Sequence, residues 1–147
     1  MISIQNAQIK AYFLQKGAEL CSLTDAQGTE YLWQADSTVW GRHAPVLFPI
    51  VGKLHQNTYR VDGKSYTLPQ HGFARDSVFE IKTQEADYII FELTFTEASL
   101  AVYPYKFRLE ILYQLRGNSL EVGYDIYNED DKIMYASIGA HPGLTAL

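Results

Sequence analysis

A strict period of two between residues 107 and 127 most constrains what this chain can fold into. In "FRLEILYQL", Phe107, Leu109, Ile111, Tyr113 and Leu115 alternate with Arg108, Glu110 and Gln114, so an extended strand puts the two sets on opposite faces. Helical geometry would scatter both sets around the axis. Arg116-Gly117-Asn118 suits a turn, and "SLEVGYDIYN" then resumes the pattern with Leu120, Val122, Tyr124 and Ile126 on its inward side. Two such runs joined by a short turn predict an antiparallel pair against a core, with Leu109, Ile111, Leu120, Val122 and also Phe91 largely buried.

The same period organises most of the chain beyond residue 57. "TYRVDGKSYTL" folds back at Asp62-Gly63, a pair that tolerates positive φ and suits a two-residue hairpin turn. "SVFEIKTQ" and "DYIIFELTFT" form a second candidate pair across Glu85 and Ala86, and "KIMYASIGAHP" predicts a further strand ending at a proline. The N-terminal "ISIQ" and "QIKAYFL" alternate weakly, Gly17 breaks the run, and "AELCSLTD" leads to a turn at Gln27-Gly28. Residues 34–56, rich in Trp, Pro and Gly, have neither periodicity and read as a long irregular connection packed on the sheet. Such a loop is uncommon in a compact domain unless it has a task. The best helix candidate, "TEASLAV" at 96–102, is under two turns long, so the fold class is all-β and antiparallel.

Length and charge narrow the partners. A chain of 147 residues that is 47% hydrophobic supports one modest core and one domain. Twelve Lys and Arg against 17 Asp and Glu give a net charge of -5, with no basic stripe, so neither nucleic acid nor an acidic membrane is an expected partner. Cys21 stands alone, which excludes an intrachain disulfide and fits a reducing compartment. The opening "MISIQNAQIKAYF" lacks a secretory pattern, and the longest apolar run, "APVLFPIV", is far short of a membrane span. A cytoplasmic location is expected. The 11 tyrosines suit strand pairs and sugar-holding surfaces equally.

Chemistry rests on few residues. The four histidines form no short metal-ligand spacing, and no metal site is expected. In "QHGFARDSVFEI", His71 can move or hold a proton near neutrality and Arg75 offers a fork for oxygens or a phosphate; the alternative is a surface turn with Arg75 paired to Asp76 or Glu80. His141 ends the last strand, flanked by Gly139 and Gly143 and followed by Pro142. It reads either as a rigidly held acid or as a structural histidine. In "WGRHAPVLFPIVGKL", Trp40 and Phe48 could pack on a sugar face while Arg42 or Lys53 bonds its hydroxyls, although "VLFPIV" serves equally as core filling.

"YLWQADSTVWGRHAPVLFPIVGKL", "LPQHGFARDSVFE" and "GAHPG", in this order, closely resemble the bacterial aldose 1-epimerase (galactose mutarotase-like) family. The resemblance runs from the first strand to the last residue. It implies a large antiparallel β-sandwich of the supersandwich type, no cofactor, and interconversion of the α and β anomers of a free hexose. It further implies that His141 is the general acid toward the ring oxygen, that His71 is a second histidine on the sugar, and that Lys53 stands where the family usually carries a substrate-binding arginine. The family's general base is a glutamate in a chain about twice this length, which puts it beyond Leu147 and makes residues 1–147 the N-terminal half of one domain. "HGFAR" also resembles the hexose-6-phosphate 1-epimerase branch, where the arginine position, here Arg75, approaches a sugar phosphate. A carbohydrate-binding homologue without activity is the third reading.

The chain stops soon after the His-Pro pair, at "GAHPGLTAL". An edge strand at that point leaves backbone groups unpaired. Self-association or a C-terminal half is therefore expected to cover the open sheet edge.

Overall fold

The structure, a computed structural model, describes residues 1–145. Three N-terminal strands, β1 (Ile2–Gln5), β2 (Ile9–Leu14) and β3 (Glu19–Asp25), form an antiparallel sheet in the order β1-β2-β3. The connection that follows contains β4 (Val46–Leu47), then the hairpin β5 (Thr58–Val61) and β6 (Lys64–Thr67). Its turn residues Asp62 and Gly63 take φ of 49° and 78°, as the sequence requires. A four-stranded antiparallel sheet comprises β7 (Glu80–Gln84), β8 (Tyr88–Thr94), β9 (Phe107–Arg116) and β10 (Ser119–Asn128), in the order β10-β9-β8-β7. A short α-helix, α1 (Glu97–Val102), is capped by Thr96 and links β8 to β9; β11 (Gly139–Ala140) pairs with β4. The fold is all-β. No helix is long and apolar enough to cross a membrane among the described residues.

The core lies between the two larger sheets. Phe107, Leu109, Ile111, Tyr113 and Leu115 are all buried, and Phe13 from β2 stacks on Phe91 (ring centroids 5.6 Å apart) and Tyr113 (4.7 Å). The buried Tyr113 hydroxyl donates to the Ala18 carbonyl at 3.0 Å, which ties the sheets at their edge. On the opposite face of β9, Glu110 is also buried, because Lys82 and Arg108 close over its carboxylate.

Two expectations fail. Val122 is 40% exposed and Leu120 only partly buried: β10 is the strand at the sheet edge, and the core reaches its inward side only in part, at Leu120, Tyr124 and Ile126. The run at 132–142 forms a strand only at Gly139–Ala140. Residues 129–138 have no strand partner, and Ile133 and Tyr135 are 73% and 70% exposed.

The irregular connection has a clear structural task. Ala44 to Pro49 are buried, and the Phe48 carbonyl accepts from the amides of Phe73 (3.0 Å) and Ala74 (3.2 Å). Within "VLFPIV", Val46 to Pro49 are core filling and also the platform for the turn carrying His71, whereas Ile50 is half-buried and Val51 exposed.

Candidate active site

His71 is positioned by backbone. Its own φ is +67°, and it exchanges two hydrogen bonds with Gly52: the His71 amide donates to the Gly52 carbonyl at 2.8 Å, and the Gly52 amide donates to His71 Nδ1 at 2.9 Å. Gly72 follows with φ +73°, pressed so closely on Phe48 that a Cβ would stand 2.2 Å from the Phe48 oxygen; only glycine fits there. Because Nδ1 accepts from Gly52, the proton of the neutral ring is on Nε2, turned outward as a donor. The Gln70 side-chain amide is 3.3 Å from Nε2, where its oxygen is the group able to accept that proton. Desolvation first, then the Arg75 charge and His141, hold the His71 pKa below its ordinary 6.5, so the neutral donor form prevails.

Arg75 lies in a 3₁₀ turn, Ala74–Asp76, directly after the His-Gly pair. Its Nη2 donates to the Gln70 carbonyl at 2.8 Å, while Nε is buried without a hydrogen-bond partner. His141 enters from the other side. The β4–β11 pairing and a bond from its amide to the Pro45 carbonyl (3.1 Å) fix its backbone, and Trp40 meets its ring edge-on at 5.1 Å. The ring itself makes no hydrogen bond among the described residues and is exposed.

Trp40, His71, Arg75 and His141 line one cavity of about 270 Å³, together with Pro45, Leu47 and Gln70. That is near the small end of ligand pockets and suits a single monosaccharide. A larger hollow of about 590 Å³ beside the β1–β2 and β9–β10 turns holds no histidine, arginine or lysine, so the chemistry favours the smaller one. No carboxylate lines the smaller cavity. No group of three or more His, Cys, Asp or Glu is placed to hold a metal among the described residues.

The remaining candidates are elsewhere. Arg42 is turned to the back of the wall, where its Nη2 bonds Asp76 Oδ1 at 3.0 Å. Lys53 is exposed, next to Gly52 but outside the cavity lining. Asp76, the sequence's candidate partner for Arg75, is also outside the lining: although burial pushes its pKa up, the Arg42 hydrogen bond and the charges of Arg42, Lys16 and Arg75 draw it down, which makes a poor proton acceptor. The alternative pairing of Arg75 with Asp76 is real but loose, at 3.7 Å, so the turn reading and the site reading hold together. Gln70 was not singled out by sequence reasoning; its place directly before His71 was the one available signal.

A family model described as aldose 1-epimerase matches residues 1–146. The chromosomal protein LacX of Lactococcus lactis subsp. lactis is 34% identical over 96% of this chain and 49% of its own length. An Escherichia coli K12 protein that bears the provisional name glucose-6-phosphate 1-epimerase is 28% identical over 88% of this chain and 44% of its own. The solved structure of a galactose mutarotase related enzyme from Lactobacillus acidophilus superposes with a TM-score of 0.97 at 42% identity, covering 99% of this chain and 49% of that one. The chain spans about half the length of the curated relatives it matches. With the family model matched over nearly its full length and a close structural counterpart along its whole course, the chain belongs to the aldose 1-epimerase family.

Proposed function

We propose that the cavity is the sugar site of an aldose 1-epimerase in which residues 1–147 are the N-terminal half of one β-sandwich domain, and that the intact protein interconverts the α and β anomers of a free hexose. The observation that carries this reading is the convergence of Trp40, His71, Arg75 and His141, from three separate segments, on one monosaccharide-sized cavity. In the proposed reaction the His141 imidazolium gives a proton to the ring oxygen as a base takes one from the anomeric hydroxyl. The C1–O5 bond breaks and C1 becomes a carbonyl. After rotation about C1–C2 the O5 hydroxyl attacks the other carbonyl face, with both protons returning the way they came. His71, a neutral donor with its Nε2–H outward, holds a sugar oxygen throughout once that oxygen takes the place of the Gln70 amide. Trp40 offers an apolar edge to the ring carbons.

The wall contains no carboxylate, so the base belongs to the half of the domain outside this chain. That half, or a second copy, would also cover the inward side of β10. Cys21, buried and unpaired, accords with a cytoplasmic setting. Polarimetry on fresh α-glucose and α-galactose tests the reading: the intact protein should speed mutarotation, and this chain alone should not exceed buffer. Brisk rotation by the short chain would refute the missing base.

A phosphosugar substrate is the second reading, favoured by the Arg75 guanidinium on a cavity wall that has no carboxylate among the described residues. Glucose 6-phosphate would then bind more tightly than glucose, with an affinity that weakens in salt and loses its preference in R75Q. Binding of sugar by the intact protein without turnover would instead indicate a carbohydrate-binding homologue.

A further inference from the structure

Three cations from three separate segments converge on a single carboxylate behind the cavity. Asp76 Oδ1 takes Arg42 Nη2 at 3.0 Å and Lys16 Nζ at 3.7 Å, and Oδ2 stands 3.7 Å from Arg75 Nε. Lys16 belongs to the β2–β3 turn, Arg42 to the loop that carries Trp40, and Arg75 to the turn after His71. The β2–β3 turn is bound to the same place by its backbone: Gly17 N donates to Ser77 O at 2.7 Å, and a Cβ on Gly17 would meet the Arg75 carbonyl oxygen at 2.8 Å. Around the carboxylate the charge is unbalanced, three positive groups to one negative.

Exposed ion pairs contribute little, and the Lys16 contact, with its side chain 62% exposed, is of that kind. Arg75 differs. Its side chain is only 19% exposed, its Nε is buried without a hydrogen bond, and Asp76 is its one carboxylate neighbour within 4 Å among the described residues. Without a counter-charge, a guanidinium this buried is left with the Gln70 carbonyl bond alone, which does not offset its desolvation, and the side chain does better to swing toward water.

We propose that Asp76 is a positioning residue for this site: by neutralising Arg75 from behind while bonding Arg42, it keeps the Arg75 guanidinium on the cavity wall and locks the Trp40 loop to the His71 turn. Asp76 acts through Arg75 and Trp40 and touches no ligand. The inference rests on the reading of the cavity as the sugar site, and its test has one arm that does not.

That arm follows the imidazole ¹⁵N resonances of His71 against pH in the ligand-free protein. Arg75 and His141 are the charged or titratable groups that act on this ring, besides its desolvation. R75Q removes a cation, so His71 should titrate at higher pH than in the wild type. D76N should shift it the same way, because Arg75 leaves the wall, and D76E should restore it. If Asp76 were only a nearby negative charge, D76N would move the midpoint down or not at all, and the proposal would be overturned.

Should D76N fail to fold, R42Q supplies the decision. Releasing the Trp40 loop should weaken the ring-current shift that the edge-on Trp40 imposes on the His141 ring protons; an unchanged shift would refute the lock. The second arm titrates glucose and glucose 6-phosphate into the intact protein, where D76N should lose on the order of tenfold in affinity and D76E should recover most of it. Equal affinity of D76N and wild type would refute positioning. If the wild type bound neither sugar, the sugar-site reading would fall and the titration of His71 would still decide the role of Asp76.

Discussion

The two walls of the cavity treat their histidine rings in opposite ways. The His71 wall is fixed at every point: two bonds to Gly52, a glycine wedged on the Phe48 carbonyl, and a ring whose Nδ1 is already committed. The His141 wall is held at its backbone too, by the two-residue β4–β11 pairing, the His141 bond to Pro45 and the bonds of Gly143 to His43 (2.8 Å) and Trp33 (2.9 Å), but its ring is free of hydrogen bonds among the described residues. A donor that must hold one oxygen throughout gains from the first design, since its geometry is in place before the ligand arrives. An acid that gives and regains a proton needs an unengaged nitrogen, which the second design leaves available.

The largest expected effect breaks the comparison at the unengaged ring. In the intact protein, H141A should lower turnover by roughly two to four powers of ten, the range for a positioned acid, with the β-sheet spectrum unchanged. H71A should act mainly on binding, raising KM more than it lowers kcat. Polarimetric kinetics on both variants separate them. Equal loss of kcat from both would mean that His71 also moves a proton, and that the fixed wall is not merely a clamp.

Next in size is the rigidity of each wall. G72A puts a Cβ 2.2 Å from a backbone oxygen at φ +73°, with no flexible neighbour to give way, and should cost about 3 kcal/mol or more. G143A meets Trp33 Cβ at 2.8 Å and Trp40 Cζ3 at 2.9 Å, where the Trp40 ring can shift, and about 1–3 kcal/mol is expected. Urea midpoints at unchanged slope measure both. A G143A loss as large as that of G72A would show the His141 wall to be as stiff as its opposite.

The difference between the walls also marks what the sequence could tell. Alternation reads one strand at a time, and at 107–115 it put on one face five residues that are all buried, because the N-terminal sheet packs over that face of β9. It says which side is apolar but not whether anything covers it. Val122 and Leu120 therefore have the predicted register and lack the predicted burial, and "KIMYASIGAHP" has the residues of a strand but a partner only at Gly139–Ala140. Composition and spacing named His71, Arg75, His141 and Trp40 as candidates, but nothing in them could bring together residues seventy positions apart; a two-residue pairing of β4 with β11 does that. Arg42 is a candidate by its charge beside an apolar run, and Lys53 by that and by the family resemblance. Arg42 is occupied by a carboxylate thirty-four positions away, a contact that no local pattern reports.

The smallest effect expected is a pH dependence, and it sharpens the contrast most directly. His71 is held neutral in the fold, with its pKa below 6.5 through desolvation and the nearby charges of Arg75 and His141. As pH falls through 6.5 the unfolded chain takes up the proton first, so the folded state should lose stability below that point until the lower folded value is reached. Protonation at Nδ1 would also set two N–H groups against each other at the Gly52 contact, so acid should loosen the fixed wall in particular. Comparing urea midpoints at pH 7.5 and 5.5 for the wild type and H71Q measures this: the wild type should lose stability between those values, and H71Q should lose less. A loss of equal size in H71Q would assign the acid sensitivity to other groups and leave the neutral state of His71 without energetic consequence.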